Sequence, residues 1–322
     1  MTKLKEGLKI FIKKQSFLIL LFLVPSLILY SIFFILPIFQ TFYLSFFTWN
    51  GIKSSPFIFN GLNNFILLFQ DEAFYRSLKN VLVFIIGSFV LIMPGGFILA
   101  LIITSKLKGR RFFRITYFIP SILPLTALGL LWQFLLKGKG GLINNILISI
   151  GLDNLAKDWL GDPHLAIYSV VAVNAWIFLG LNMIIFASGM VSIPEEIYEA
   201  ATIDGASGFQ KVFYITIPLM KEVFKIFSIL AITQSIRVFA QVYVMTGGGP
   251  NGATEVPTTL LYNQSFVYNN FGGGNAIATF IVVTALISTI ILNRLFQGKS
   301  TSKRVITRRT GGKNEKKQNI YL

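Results

Sequence analysis

Two stretches of the sequence concentrate polar side chains within an otherwise apolar chain. One is Ser192–Pro218, where Glu195, Glu196, Glu199 and Asp204 share the stretch with apolar Tyr198, Phe209, Val212 and Phe213. The other is an apolar run holding Gln234, Arg237 and Gln241, preceded by a run holding Asn174, Trp176 and Asn182. Neither set supports covalent chemistry, since no Ser/His/Asp set accompanies them and the acids of the first are not set as an acid/base pair. The chain has no cysteine and one histidine, His164, which excludes disulfides, thiol catalysis, Cys-ligated metals and multi-histidine sites. The run Gly298-Lys299-Ser300-Thr301 ends like a phosphate-binding P-loop. However, Asn293 occupies the first glycine position, and an apolar helix rather than a strand precedes it. The Gly247–Pro250 run lacks the lysine. No cofactor site is therefore expected in this chain, and any ATP and Mg²⁺ would be used by a partner.

Arg237 carries the strongest physical signal of the second set. A charge inside a bilayer costs about 2.5–3.5 kcal/mol on insertion scales and usually faces a bundle interior or water. Gln234, Arg237 and Gln241 stand at i, i+3 and i+7, one face of a continuous helix. They could line a polar substrate path or form a hydrogen-bonded cluster between helices. Asn174 and Asn182 share a face less closely. Trp176 suits stacking on a sugar ring or plain packing.

The elements that must position these residues are membrane helices. The chain has 322 residues, 54% hydrophobic and only 13% charged, with mean hydropathy +0.68. Soluble chains carry roughly a quarter charged residues, so much of this surface must face lipid. Aromatics reach 15%, with 32 phenylalanines, which suits lipid-facing and interfacial positions. The net charge of +16 would suggest nucleic acid in a soluble protein. Here the basic residues cluster beside apolar runs, so membrane topology explains them and no nucleic-acid partner is expected.

Six segments are long enough to span: Ser16–Phe39, Val81–Ser105, Ile115–Leu136, Leu165–Val191, Ile226–Met245 and Ala276–Asn293. Pro25, Pro94, Pro120 and Pro124 fall inside them, where a bundle re-satisfies the freed carbonyls. The first run is too long for a signal peptide and lacks a cleavage site. Lysine and arginine gather in residues 1–15, at Lys106–Arg114, at Lys211, Lys221 and Lys225, and in residues 294–322. Only Lys53, Arg76, Lys79, Lys137, Lys139 and Lys157 lie on the other side. The positive-inside rule makes the basic side cytoplasmic. The expected fold is all-α: a polytopic membrane protein with six transmembrane helices over residues 16–293, a cytoplasmic loop at 192–218 and both termini cytoplasmic. Of the outer loops, Phe57–Lys79 reads as a surface helix, Leu142–Ile150 as a short apolar helix and Gly247–Gly274 as irregular. The tail beyond Gly298 reads as disordered.

Within 192–218, Ser192 and Glu195 read as a capping box, with a helix starting near Pro194. Gly205 is a natural helix stop. Ser207 and Gln210 read as a second capping box, starting a helix that runs from Gly208 toward Ile215, and Pro218 breaks the chain before the next span. The result is a helix–glycine–helix elbow whose apolar residues need a surface, either the chain's own spans or another protein.

Glu199-Ala200-Ala201, followed by Gly205, Ile215, Ile217 and Pro218, resembles the EAA motif of binding-protein-dependent ABC importer permeases, with Ile217 standing for leucine. The longer run Ile193–Ala206 resembles the carbohydrate-uptake branch, which serves sugar and glycerol-phosphate transport. Similar to that branch are also Phe59-x-Gly61-Leu62-x-Asn64-Phe65 with Phe74 and Asn80, Arg114-x-x-x-Phe118-x-Pro120, Trp159-Leu160-x-Asp162-Pro163 and Met245–Pro250. Relatives often carry an aspartate where Ala240 stands. The resemblance implies a non-catalytic subunit forming half of a carbohydrate path. Its partners would be a second paralogous permease, an ABC ATPase dimer and an extracytoplasmic solute-binding protein. It assigns ATPase coupling to Glu199, Ala200, Ala201, Asp204, Gly205, Phe209, Ile215 and Pro218. The alternatives are a permease for another small solute, or an ATPase-independent secondary transporter, which usually shows intramembrane acidic residues.

Overall fold

A computed structural model describes residues 20–296. The expected basic N-tail, the C-tail beyond residue 296 and the Gly298–Thr301 run lie outside the described residues. The fold is mostly helical. Helix α1 is Leu20–Leu44. A two-stranded antiparallel ribbon follows, β1 Phe47–Thr48 and β2 Ile58–Phe59, with Phe47 opposite Phe59 and Thr48 opposite Ile58. Then come α2 Asn63–Gln70, α3 Glu72–Thr104, α4 Arg110–Ile122, α5 Leu125–Leu135 and α6 Leu142–Ser149. Helix α7 is Ala166–Val191 and α8 is Glu195–Ile203, and α9 covers residues 208–219. Helices α10 Lys221–Ile236, α11 Ala240–Met245, α12 Pro257–Tyr262 and α13 Phe271–Phe296 complete the chain.

Helices α1, α3, α7 and α13 are each long and apolar enough to cross a membrane, and α4–α5 adds a fifth if that bent pair is one span. The bend is 102°. Its cause is local: Leu123 precedes Pro124 and adopts extended backbone (φ −73°, ψ 151°), because the proline ring disfavours the helical region for the residue before it. The expected run Ile226–Met245 is not one helix. It stops at Ile236 and resumes at Ala240 after a turn through Phe239 (φ −137°, ψ −65°). Thr258 Oγ1 donates to the Val238 carbonyl in that break, which satisfies a group that helix geometry no longer reaches.

Three other prolines sit inside continuous helix for a shared reason. Pro37, Pro94 and Pro218 each follow a five-residue π-helical turn: Ser31–Ile35, Ser88–Ile92 and Val212–Thr216. In each, the residue before the proline donates five residues back, Leu36 to Ser31, Met93 to Ser88 and Ile217 to Val212. A wide turn shifts the register where the proline has no N–H to give, so the helix continues without a break. Chain direction changes only later, at Met220 (φ −85°, ψ 11°), rather than at Pro218.

The chain divides into two compact units that interleave along the sequence. The first comprises residues 20–82, 129–170 and 236–283 of those described. Here the second expected span begins earlier than Val81. Asp71 Oδ1 accepts the Ala73 N–H at 2.8 Å, and this N-terminal cap starts α3 at Glu72. Phe57–Lys79 is therefore strand, short helix and the first turns of α3, not one surface helix. Asn64 is buried and donates to the Ser45 and Phe47 carbonyls at 2.8 and 2.9 Å, tying α2 to the ribbon. Asn144 of α6 donates to the Gly138 and Lys157 carbonyls and accepts from Trp159 Nε1, closing the 137–163 loop. The 247–274 segment is more ordered than its glycines suggest. It holds α12 and a π turn at Asn263–Val267, and Asn80 donates to the Ala253 and Glu255 carbonyls.

The second unit comprises residues 83–128, 171–235 and 284–296 of those described. Its apolar centre includes Phe97, Phe186, Met190, Met220 and Phe227, with Val212, Ile193 and Ile217 packed against it. Close helix approach depends on Gly180, where a β-carbon would lie 1.9 Å from the Tyr117 carbonyl oxygen. Small residues at such contacts are how membrane helices gain packing energy that lipid cannot supply.

Candidate coupling loop and polar path

The 192–218 loop lies in the second unit. Helix α8 begins at Glu195 with Pro194 as its N-cap. The expected Ser192–Glu195 capping box does not form, since Ser192 Oγ donates back to the Gly189 carbonyl at 2.7 Å and extends α7 instead. Glu195 and Glu196 occupy the first turn, where the helix dipole favours negative charge.

The C-terminal end of α8 is a Schellman motif. Gly205 has φ +76°. Its N–H donates to the Thr202 carbonyl at 3.1 Å, and the Ala206 N–H reaches the Ala201 carbonyl at 2.9 Å. Those two bonds satisfy carbonyls that the helix end leaves open, and the left-handed φ suits glycine. Two residues on, the Ser207–Gln210 capping box forms in both directions, at 3.3 and 2.8 Å. A stop and a start are thus built back to back, which gives the elbow little freedom.

Cross-braces stiffen it further. Tyr198 Oη and Thr216 Oγ1 are 3.0 Å apart, and Lys211 Nζ donates to Thr202 Oγ1 at 2.6 Å. Val212, Ile217 and Met220 anchor α9 in the apolar centre. The opposite side is open. Ile203 is 87% exposed, Phe209 73% and Tyr214 79%, and the Phe209 and Phe213 rings pack at 4.4 Å. Glu199, Ala200, Asp204, Gly205 and Pro218 are also exposed, Ile215 is half-buried and Ala201 is buried. A braced elbow presenting bare apolar side chains is suited to docking and to transmitting force.

The polar residues of the apolar runs do not form one strip. Gln234 and Arg237 are exposed, but Gln241 is 2% exposed, with its Nε2 lacking a hydrogen-bond partner. The break between α10 and α11 resets the helical phase, so the i, i+3, i+7 rule does not carry across it. Asn174 and Asn182 are buried, with Asn182 Nδ2 bonded to the Phe178 carbonyl one turn back at 2.9 Å, and Trp176 is half-buried.

Sequence reasoning missed a buried carboxyl, Glu255 in the 247–274 segment. Burial pushes it above the ordinary carboxylate range, while a hydrogen bond from Thr259 and the charge of Arg76 pull the other way. Its Oε1 has no hydrogen-bond partner, and Arg76 Nη1 instead donates to the Asn251 carbonyl at 2.9 Å. Its signal was present in outline, as a lone acid among glycines, threonines and prolines.

Comparison with known proteins agrees with this architecture. Residues 92–301 match the family described as the binding-protein-dependent transport system inner membrane component. The chain is 37% identical to the probable ABC transporter permease protein YurN of Bacillus subtilis, over 86% of this chain and 95% of that one. It is 32% identical to the multiple sugar-binding transport system permease protein MsmF of Streptococcus mutans, over 85% and 93%. A solved bacterial ABC transporter involved in import of the acidic polysaccharide alginate has a subunit of the same fold. It superposes with TM-score 0.77 at 25% identity, covering 88% of this chain and 96% of that one. The chain therefore belongs to the binding-protein-dependent transport system inner membrane components, as a multi-pass, non-catalytic permease subunit of an ABC importer.

Proposed function

We propose that this chain forms half of the translocation path of a carbohydrate importer and receives its power stroke through the 192–218 loop. The observation that carries the coupling role is the braced elbow with Ile203, Phe209 and Tyr214 bare to solvent. These side chains suit a cleft on an ABC ATPase dimer that binds and hydrolyses ATP with Mg²⁺. Glu199, Ala200, Ala201, Asp204, Gly205, Ile215 and Pro218 set the shape and anchoring of that docking piece. Closure of the ATPases would move it as a lever, since a stiff element is what rigid-body switching needs.

The carbohydrate assignment draws on the sugar-uptake motifs in the chain and on the names of the sugar and alginate relatives. A second, paralogous permease would supply the other half of the path, and an extracytoplasmic binding protein would deliver the sugar. In this reading the membrane domain covers residues 16–293 with six spans, α4–α5 and α10–α11 each being one broken span, and both basic tails cytoplasmic. Gln234, Arg237 and Gln241, with Asn174, Trp176 and Asn182, are the candidates for the polar path.

The test is co-purification of the tagged chain with its ATPase, with and without Phe209→Asp. A charge on a 73% exposed residue should shift folding by no more than about 0.5 kcal/mol. The variant should therefore insert normally while ATPase recovery and ATP-driven uptake fall about tenfold or more, the loss of one buried interface aromatic. Full ATPase recovery with Phe209→Asp, or uptake that persists without ATP, would refute the coupling role.

A further inference from the structure

A cavity of about 300 Å³ opens in the first unit, with Asn64, Asp71, Gln264 and Asn270 supplying polar side chains and Leu68 and Ile277 among its apolar lining. Its size is at the lower end of roughly 300–1,000 Å³ for small-molecule sites. The polar groups are partly committed, and what remains is informative. Asn64 spends Nδ2 on two carbonyls, at 2.8 and 2.9 Å, and Asp71 spends Oδ1 on the α3 cap at 2.8 Å. Asn270 accepts from the Gly273 N–H at 3.0 Å and donates to Gln264 Oε1 at 3.1 Å.

Among the described residues this leaves Asn64 Oδ1 and Asp71 Oδ2 as open acceptors and Gln264 Nε2 as an open two-proton donor. Hydroxyl groups both donate and accept, so a polyol matches this mixed set. A metal ion matches it poorly, because the free group of Gln264 is an amide nitrogen. No cluster of three acidic or histidine side chains exists among the described residues. An anion would meet the Asp71 carboxylate.

A second feature lies close to Gln264 and Asn270 in the chain. Phe266 stands two residues after Gln264 and Phe271 directly after Asn270, and their rings are 5.5 Å apart. The ladder continues from Phe266 to Tyr262 at 5.3 Å, to Tyr243 at 4.9 Å and to Phe239 at 5.1 Å, two residues beyond Arg237. Aromatic faces offer flat, apolar area to the C–H face of a sugar ring, and the tyrosine hydroxyls add polar handles. Phe266 is 60% exposed.

We propose that this cavity is an outer subsite that holds one sugar ring of the transported carbohydrate. The inference rests on the carbohydrate reading and on the orientation given above. The experiment reconstitutes the complete transporter, with both permeases, ATPase and binding protein, and offers the neutral sugars maltotriose, raffinose and trehalose. Sugar imported per ATP hydrolysed is measured for wild type, Gln264→Leu and Gln264→Glu. Gln264→Glu keeps an oxygen for Asn270, exchanges the amide donor for an acceptor, and adds a negative charge to the cavity that Asp71 also lines. Both variants should lower the ratio about threefold or more, the loss of roughly one hydrogen bond, with ATPase rates within about twofold of wild type. An unchanged ratio in both overturns the subsite, and so does a loss confined to Gln264→Leu, which would mean that the amide only supports the turn. A wild-type transporter that takes up none of these sugars overturns the carbohydrate reading, and the subsite with it.

Discussion

Replacing Gly205 tests whether the loop works as a fixed elbow. A β-carbon built on Gly205 meets no atom within 4 Å, so steric contact with neighbours contributes nothing. The cost comes from φ, which is +76°, where an L-residue is disfavoured by about 1–2 kcal/mol. Escape from that conformation would break the 3.1 Å bond to Thr202 and the 2.9 Å bond from Ala206 to Ala201, each worth about 0.5–1.5 kcal/mol. Strain and escape are therefore comparable, and either weakens the elbow by an amount near the 1.4 kcal/mol that makes a tenfold population change. The expected order of ATP-driven uptake, at matched membrane abundance, is glycine, then asparagine, then alanine, then valine. Asparagine tolerates the left-handed region, whereas a β-branched residue there is an outlier. Gly205→Ala should lose about tenfold and Gly205→Val nearly all transport, while insertion and thermal stability of the spans hold. Uptake by Gly205→Val equal to wild type would refute the elbow. Asparagine as damaging as valine would also refute the reasoning, because it would point to crowding rather than backbone conformation.

Two further outcomes follow from single contacts. Gly180→Ala drives a methyl group against backbone, 1.9 Å from the Tyr117 oxygen and 2.7 Å from Phe118 Cα, which cannot swing aside. It should cost about 3 kcal/mol, the upper end of overpacking, read as a drop of several degrees in Tm of the detergent-purified chain; an unchanged Tm would show that α4 and α7 can part freely. Glu255→Gln should raise Tm at pH 8. Burial lifts the folded-state pKa, so ionising Glu255 costs stability above that pKa, and the cost fades as pH falls through it toward the unfolded value. The variant's advantage should shrink accordingly, and a less stable variant at pH 8 would mean that attraction to Arg76 outweighs burial.

Much of this architecture is legible in the residues because it depends on local rules. The Gly205 stop, the Ser207–Gln210 box and the helix starting near Pro194 involve partners within a few positions, and the structure forms all three. The Ser192–Glu195 box, read by the same local rule, does not form: the hydroxyl bonds backward to the Gly189 carbonyl in the last turn of α7 rather than capping forward. Asp71 was overlooked because one acid before an apolar run is a weak signal, although it decides where α3 begins.

Apolar runs and local capping residues alone established a helical membrane chain with a capped loop bent at a glycine, since insertion is settled within one span-length run and capping within a few residues. Only the tertiary structure decided which faces are open. The break at Arg237–Phe239 separates exposed Arg237 from buried Gln241, and its freed carbonyl is held by Thr258, twenty residues away in the chain. Likewise the cavity draws Asn64 and Asp71 together with Gln264 and Asn270. Helical phase can be counted from a sequence only while the helix is unbroken. Side chains from distant segments meet only once packing has chosen their neighbours.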